Sequence, residues 1–152
     1  AKMAVPSGPA GADFAALFAN TQVHVAQDAD FRSQLWRKLC LNSVGAFSAV
    51  LLRPAIIAHH AGVAELMHAV IREAIAVGRA EGAQLDDALA DRIIEGYRNA
   101  PPDSINSLHA DRLAGRPMEI DARNGVIVRL GKRHAIPTPL NAMLVALLEA
   151  AT

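Results

Sequence analysis

The sequence is short of aromatics, of cysteine and of net charge, and each shortage narrows the field. Aromatic residues make up 4% of the 152, and alanine supplies much of a hydrophobic fraction of 52%. That balance suits closely packed helices better than a sheet built from β-branched and aromatic side chains. Fifteen basic residues cancel fifteen acidic ones, so no overall field would draw the chain to nucleic acid or to an anionic membrane, and neither partner is expected. The only cysteine, Cys40, cannot close an internal disulfide. It lies in an apolar stretch, which reads as an inert core thiol in a reducing, cytoplasmic setting. The longest apolar run, residues 44–52, is cut by Arg53 and Pro54, well short of the ~20 residues that a membrane span needs.

Nucleotide and metal signatures are missing too. Gly8-Pro9-Ala10-Gly11 is too sparse for a dinucleotide turn: it is not G-x-G-x-x-G, and neither a preceding strand nor a suitably spaced acid is expected. His59 and His60 are adjacent, so on a helix they point about 100° apart. No other His, Cys or carboxylate has zinc spacing, and no metal site is expected. The N-terminus lacks a secretory leader and an initiating methionine, which suggests a chain that begins inside a longer gene product.

What is present centres on residues 36–52, whose second half is apolar on every side. A helix without a polar face has to be buried. Its strongly polar groups beyond the first turn are Lys38 and Asn42, one turn and about 6 Å apart on one face. Around this central helix the pattern predicts an all-α domain. A loop over 6–11 precedes a short helix capped by Asp13, and a short extended piece holds Val23 and Val25. A helix over 63–80 carries Leu66, Met67, Val70, Ile71, Ala74 and Val77 inward. Another follows Asp86 and Asp87, and a short one is capped by Asp103 or Ser104. A helix then carries Val126, Ile127 and Leu130, and a last one over 140–150 has Leu144, Leu147 and Leu148 inward. Residues 1–12 read as a linker or the remnant of an interdomain connection, and 13–152 as the helical domain.

Four pieces in order carry a resemblance: Leu35-Trp36-Arg37-Lys38-Leu39-x-x-Asn42; Asn106-Ser107-Leu108-x-x-Asp111-x-x-x-Gly115-Arg116; Glu119-Ile120-Asp121-x-x-Asn124-Gly125; and Thr138-Pro139-x-Asn141. Over residues 13–148 the chain closely resembles the C-terminal helical domain of the ketopantoate reductase family. The resemblance implies a helical bundle of the 6-phosphogluconate dehydrogenase C-terminal-like type. It also implies a missing N-terminal Rossmann domain of the same gene product, which would hold most of the NADP(H). The implied reaction is reduction of 2-dehydropantoate to pantoate in pantothenate synthesis, and the present part alone should be inactive. Lys38 matches the family's catalytic lysine, which passes a proton to the reduced carbonyl oxygen. Glu119 matches the acid that holds the substrate's hydroxyl end, and Asn42 and Ser107 match substrate-binding positions. A small 2-oxo acid is the implied ligand, and a homodimer is a candidate assembly. One position departs from the pattern: many members carry a second asparagine one turn after the first, and here it is Ala46.

Spacing alone leaves other roles open. Lys38 fits a structural lysine snorkelling to the surface, Asn42 an interhelical hydrogen bond, Ser107 a solvent-facing or back-bonded hydroxyl, and Glu119 a partner of a helix dipole. Asp111, Arg116 and Asp121 read as salt bridges or caps. Two competing functions remain beside the reductase half: a paralogous enzyme for another 2-oxo acid, and a non-catalytic helical dimerisation or interaction module.

Overall fold

The central helix, α2 (Phe31–Leu51), starts where Asp30 caps it. The Asp30 carboxylate accepts from the Ser33 amide at 3.4 Å and from the Ser33 hydroxyl at 2.7 Å, satisfying a donor that a helix start leaves free. Every residue from 43 to 49 is buried, as an all-round apolar helix requires. The computed structural model describes residues 2–151; Ala1 and Thr152, the outer ends of the two regions expected from sequence, lie outside the described residues.

Before α2 the chain is more regular than its composition suggests. Lys2–Pro6 is a strand, β1; Pro9–Ala16 is a helix, α1; and His24–Asp28 is a second strand, β2. The strands pair in parallel, Lys2 opposite His24 through Pro6 opposite Asp28. The start of α1 is Gly8 with Pro9 in its first turn, not Asp13: a fixed φ and an amide that needs no partner suit Pro to that position.

α3 (Ala61–Ala80) packs along α2. A Cβ at Gly78 would stand 2.8 Å from both Trp36 Cε3 and Leu85 Cδ1, so a glycine there lets the indole lie against the helix backbone. Met67, Val70, Ile71, Ala74 and Val77 face the core as expected, while Leu66 is 42% exposed. α4 (Leu89–Arg98) buries Leu89, Ala90, Ile93 and Ile94. α5 (Ser107–Leu113) is capped by Asn106, rather than by Asp103 or Ser104. A π-helical turn, Asp121–Gly125, runs directly into α6 (Val126–Arg133), and α7 (Pro139–Glu149) closes the bundle. In α7, Leu144 and Leu148 are buried but Leu147 is 45% exposed. In both helices the apolar stripe is wider than the face the neighbours cover.

The bundle is tied across its centre by polar side chains. Asn124 donates to Ser43 O and to Asn141 Oδ1, each at 3.0 Å. Asn141 donates to Val70 O at 3.2 Å and to Glu73 Oε2 at 2.7 Å. Glu73 also accepts from the amides of Leu140 and Asn141, serving the N-terminus of α7 with negative charge where the dipole favours it. Four elements, α2, α3, the π turn and α7, thus share one hydrogen-bonded knot. The fold is all-α, a helical bundle with a small parallel strand pair at its N-terminal side.

Candidate functional site

Lys38, Asn42, Gly45 and Ala49 lie four, three and four residues apart on α2, and so form one stripe down the helix. The far half of that stripe is where α5 docks. Asn106 donates to Gly45 O at 3.0 Å, and a Cβ at Gly45 would lie 3.1 Å from Asn106 Nδ2. Glycine therefore lets the cap of α5 come close. Arg112 donates to Val50 O at 2.8 Å and also to Ala49 O, placing positive charge at the C-terminal end of α2. Asn106 accepts from the His109 amide at 3.1 Å. Ser107 is thereby fixed at the first turn of α5, beside the continuation of the Lys38 and Asn42 stripe.

The near half of the stripe is open. Lys38 is exposed and has no hydrogen bond or ion pair among the described residues. Asn42 is half-buried, and its amide has no partner there either. Lys38 is therefore unsheltered. An ammonium and an amide thus stand one turn apart, neither bonded to a partner among the described residues.

Ser107 and Glu119 are brought together through a residue that the sequence reading passed over. Arg123 Nη2 donates to Ser107 Oγ at 2.7 Å and lies 3.7 Å from Glu119 Oε2. Its side chain is 10% exposed and that of Glu119 is 72% exposed. Arg123 belongs to the π turn, a form of helix that recurs at functional sites. The other acids settle into ion pairs, Asp111 with Arg116 at 2.8 Å and Asp121 with Arg129, in keeping with the structural reading given to them.

The remaining groups of interest are built into the core. Burial pushes the Cys40 thiol up to about 12, so it stays protonated and unreactive at neutral pH. The buried His109 ring meets Ser48 Oγ at 2.8 Å. Ser48 gives its one proton to Arg53 O, so His109 Nδ1 is the donor. Burial first, and the Arg112 charge second, hold His109 below the ordinary histidine value. His60 caps α3 through its Nδ1. Ala46, one turn beyond Asn42, is fully buried and apolar. A groove of about 890 Å³ between α3 and α4, lined by Glu65, His68, Arg72 and Asp91 among others, includes none of the four expected site residues.

A strand does precede Gly8-Pro9-Ala10-Gly11, contrary to expectation, yet the turn does not make a phosphate cradle. Pro9 lacks an amide proton, and a Cβ at Gly11 would fall 2.0 Å from Pro6 O. The Gly11 hydrogen is thus needed for helix-to-strand packing, not for approach to a pyrophosphate. This turn does not fit the pyrophosphate of a dinucleotide.

The fold is that of a helical C-terminal domain. The chain belongs to the ketopantoate reductase family: the family model "Ketopantoate reductase PanE/ApbA C terminal" matches residues 30–152. It is similar to a 2-dehydropantoate 2-reductase of Caulobacter vibrioides, 60% identical over 97% of this chain and 51% of that protein. It also resembles the crystal structure of a PanE/ApbA family ketopantoate reductase from Ralstonia eutropha, with TM-score 0.86 and 37% identity over 97% of this chain and 50% of the other. The fold of a dimeric ketopantoate reductase from Staphylococcus aureus matches with TM-score 0.90 at 22% identity, over 97% of this chain and 52% of that one. The chain spans about half the length of the curated relatives it matches.

Proposed function

We infer that the chain is the substrate-facing half of a 2-dehydropantoate 2-reductase, converting ketopantoate to pantoate with NADPH held mainly by an N-terminal Rossmann domain of the same gene product. The observation that carries this reading is the uncommitted Lys38–Asn42 pair, on the stripe of α2 that leads to Ser107. Reduction of a ketone to an alcohol places negative charge on the carbonyl oxygen, and the bound cofactor would supply the hydride. In this reading Lys38 stabilises that oxygen and passes it a proton, the role of a general acid. Its freedom from any counter-ion among the described residues suits the task. Asn42 and Ser107 hold the substrate's oxygens with neutral groups, which leaves the ammonium undisturbed. Glu119 receives the hydroxyl end.

The domain division proposed with this reading is a connection over residues 1–12 and a helical domain over 13–152, a line that α1 crosses. Assay of the full-length protein for ketopantoate-dependent NADPH oxidation is the test. Turnover is expected from the whole protein and none from the present chain, which in calorimetric titration should not bind NADPH at micromolar concentration. A tight NADPH isotherm with this chain alone would overturn the division of labour.

A second reading, reduction of another 2-oxo acid, is favoured by one observation: Ala46 is buried and apolar where many relatives are expected to place an amide. A pocket that lacks a hydrogen-bonding group discriminates differently among substrates. Comparing kcat/KM for ketopantoate with that for other branched 2-oxo acids decides between the two.

A further inference from the structure

Among the described residues, Arg123 is a buried charge that is poorly satisfied. An arginine keeps its charge at all ordinary pH values, and a buried charge is costly without a close, well-bonded counter-ion. Arg123 is buried, yet its nearest carboxylate, Glu119, stands 3.7 Å away on a solvent-exposed side chain. Charge-assisted bonds run at about 2.7–2.9 Å. Among the described residues its Nε is buried with no acceptor, and of the groups on a guanidinium that carry five donors only Nη2 makes a hydrogen bond, to Ser107. The neighbouring Tyr97 does not neutralise it, since burial pushes that phenol up and keeps it protonated.

The Ser107 bond has a chemical consequence. Its oxygen accepts from Arg123, so its own proton is left to donate outward. A hydroxyl and a guanidinium then offer donors side by side, and what both lack is an anionic acceptor. The charges agree: Lys38 and Arg123 against Glu119 leave the set one positive charge in excess, matching a monocarboxylate.

We propose that Arg123 is a specificity-determining residue of the site, and that it and Ser107 together receive the carboxylate of the 2-oxo acid. This rests on the reductase reading, with Lys38 at the carbonyl oxygen and Arg123 at the acid end. Arg123 adds the charge recognition that neutral Asn42 and Ser107 cannot provide.

The test uses the full-length enzyme, with a 2-oxo acid and its uncharged methyl ester as paired substrates. Arg123→Gln is expected to raise KM for the acid about 10- to 100-fold, the range for loss of a hydrogen bond to a charged group. Its kcat and its KM for the ester should change little, so the preference for acid over ester collapses. A purely structural arginine would lower the melting temperature and leave that preference intact, and this result overturns the proposal. Should Arg123→Gln fail to fold, Arg123→Lys decides: retained acid preference with a raised KM supports the proposal, and an unchanged KM refutes it. Absence of wild-type turnover on any 2-oxo acid would instead refute the reductase reading, a distinct outcome.

Discussion

Two asparagines of similar standing in the sequence should respond in opposite ways to the same substitution. Asn141 is fully buried and its side chain makes three hydrogen bonds, to Asn124, to Val70 O and to the Glu73 carboxylate. Asn141→Ala removes all three and strands buried partners on two other elements. At about 1 kcal/mol for each neutral bond and 1.5–3 for the one to a carboxylate, the loss is about 4 kcal/mol. The gain in helix propensity returns only about 0.5 kcal/mol. A net cost near 3.5 kcal/mol is a large part of the 5–15 kcal/mol that typically holds a domain together, and it corresponds to a fall in melting temperature of roughly 10 °C. Asn42 has no bond to lose, so Asn42→Ala should leave stability unchanged or slightly raised. In the full-length enzyme Asn42→Ala should raise KM. Urea denaturation of the two variants beside the parent reads this directly. A cost below about 1 kcal/mol for Asn141→Ala, or a comparable cost for both, would refute the separation of structural from ligand-facing asparagine.

Other predictions follow from the same geometry. Lys38→Ala in the full-length enzyme should lower turnover by roughly 10²–10⁴-fold with an unchanged melting temperature; Lys38→Arg should fail as well, since a guanidinium yields protons poorly. Near wild-type turnover in Lys38→Ala would return that residue to a surface role. Cys40, with its thiol at about 12, should resist a thiol reagent at pH 8 while the protein is folded and react at once in urea; fast labelling of the native state would contradict its burial. His109 is held below the ordinary value of 6.5, so the unfolded chain takes up a proton first as pH falls. Its contribution to stability is therefore full above about pH 6.5 and is lost below it. His109→Gln should flatten that part of a stability-versus-pH curve, and an unaltered slope would show that other groups set it.

The sequence disclosed most where a single helix decided the outcome. Apolar residues on every side of 43–49 can only mean burial, and α2 is buried there. The Lys38–Asn42 spacing likewise follows from one helical turn, whatever surrounds it. What stayed hidden depended on partners far away in sequence. β1 has no marked alternation, and its pairing partner lies 22 residues on, so Lys2–Pro6 reads locally as loop. Leu66 and Leu147 sit on correct helical periods but at the edge of the covered face. Arg123 was hidden for a subtler reason. It lies between Ile120 and Val126, where a charged residue normally marks the outer face, and the π turn alters the period so that counting back from α6 misplaces it. Asn124 and Asn141 belong to the pattern that carries the family resemblance, and in sequence a place in a buried knot looks the same as a ligand-binding one, because their partners lie far along the chain.

Burial divides the residues that carry the family resemblance into two groups. Asn124 and Asn141 are inside and bonded within the chain, and they hold the π turn and α7 against α2. Lys38, Ser107 and Glu119 are exposed. A proton donor and a carboxylate-binding pair act far more strongly when water is excluded, because the same charges interact many times more strongly at low dielectric. The exposed group therefore needs a cover to do the proposed chemistry, and the buried knot fixes what that cover must meet. In the proposed reading the cover is the cofactor-bearing half, which brings the nicotinamide to the Lys38 stripe as it expels solvent. Arg123 suits such a device. Already buried and short of an acceptor before closure, it would complete its bonding when the anionic substrate arrives, coupling ligand binding to the ordering of Ser107 and Glu119.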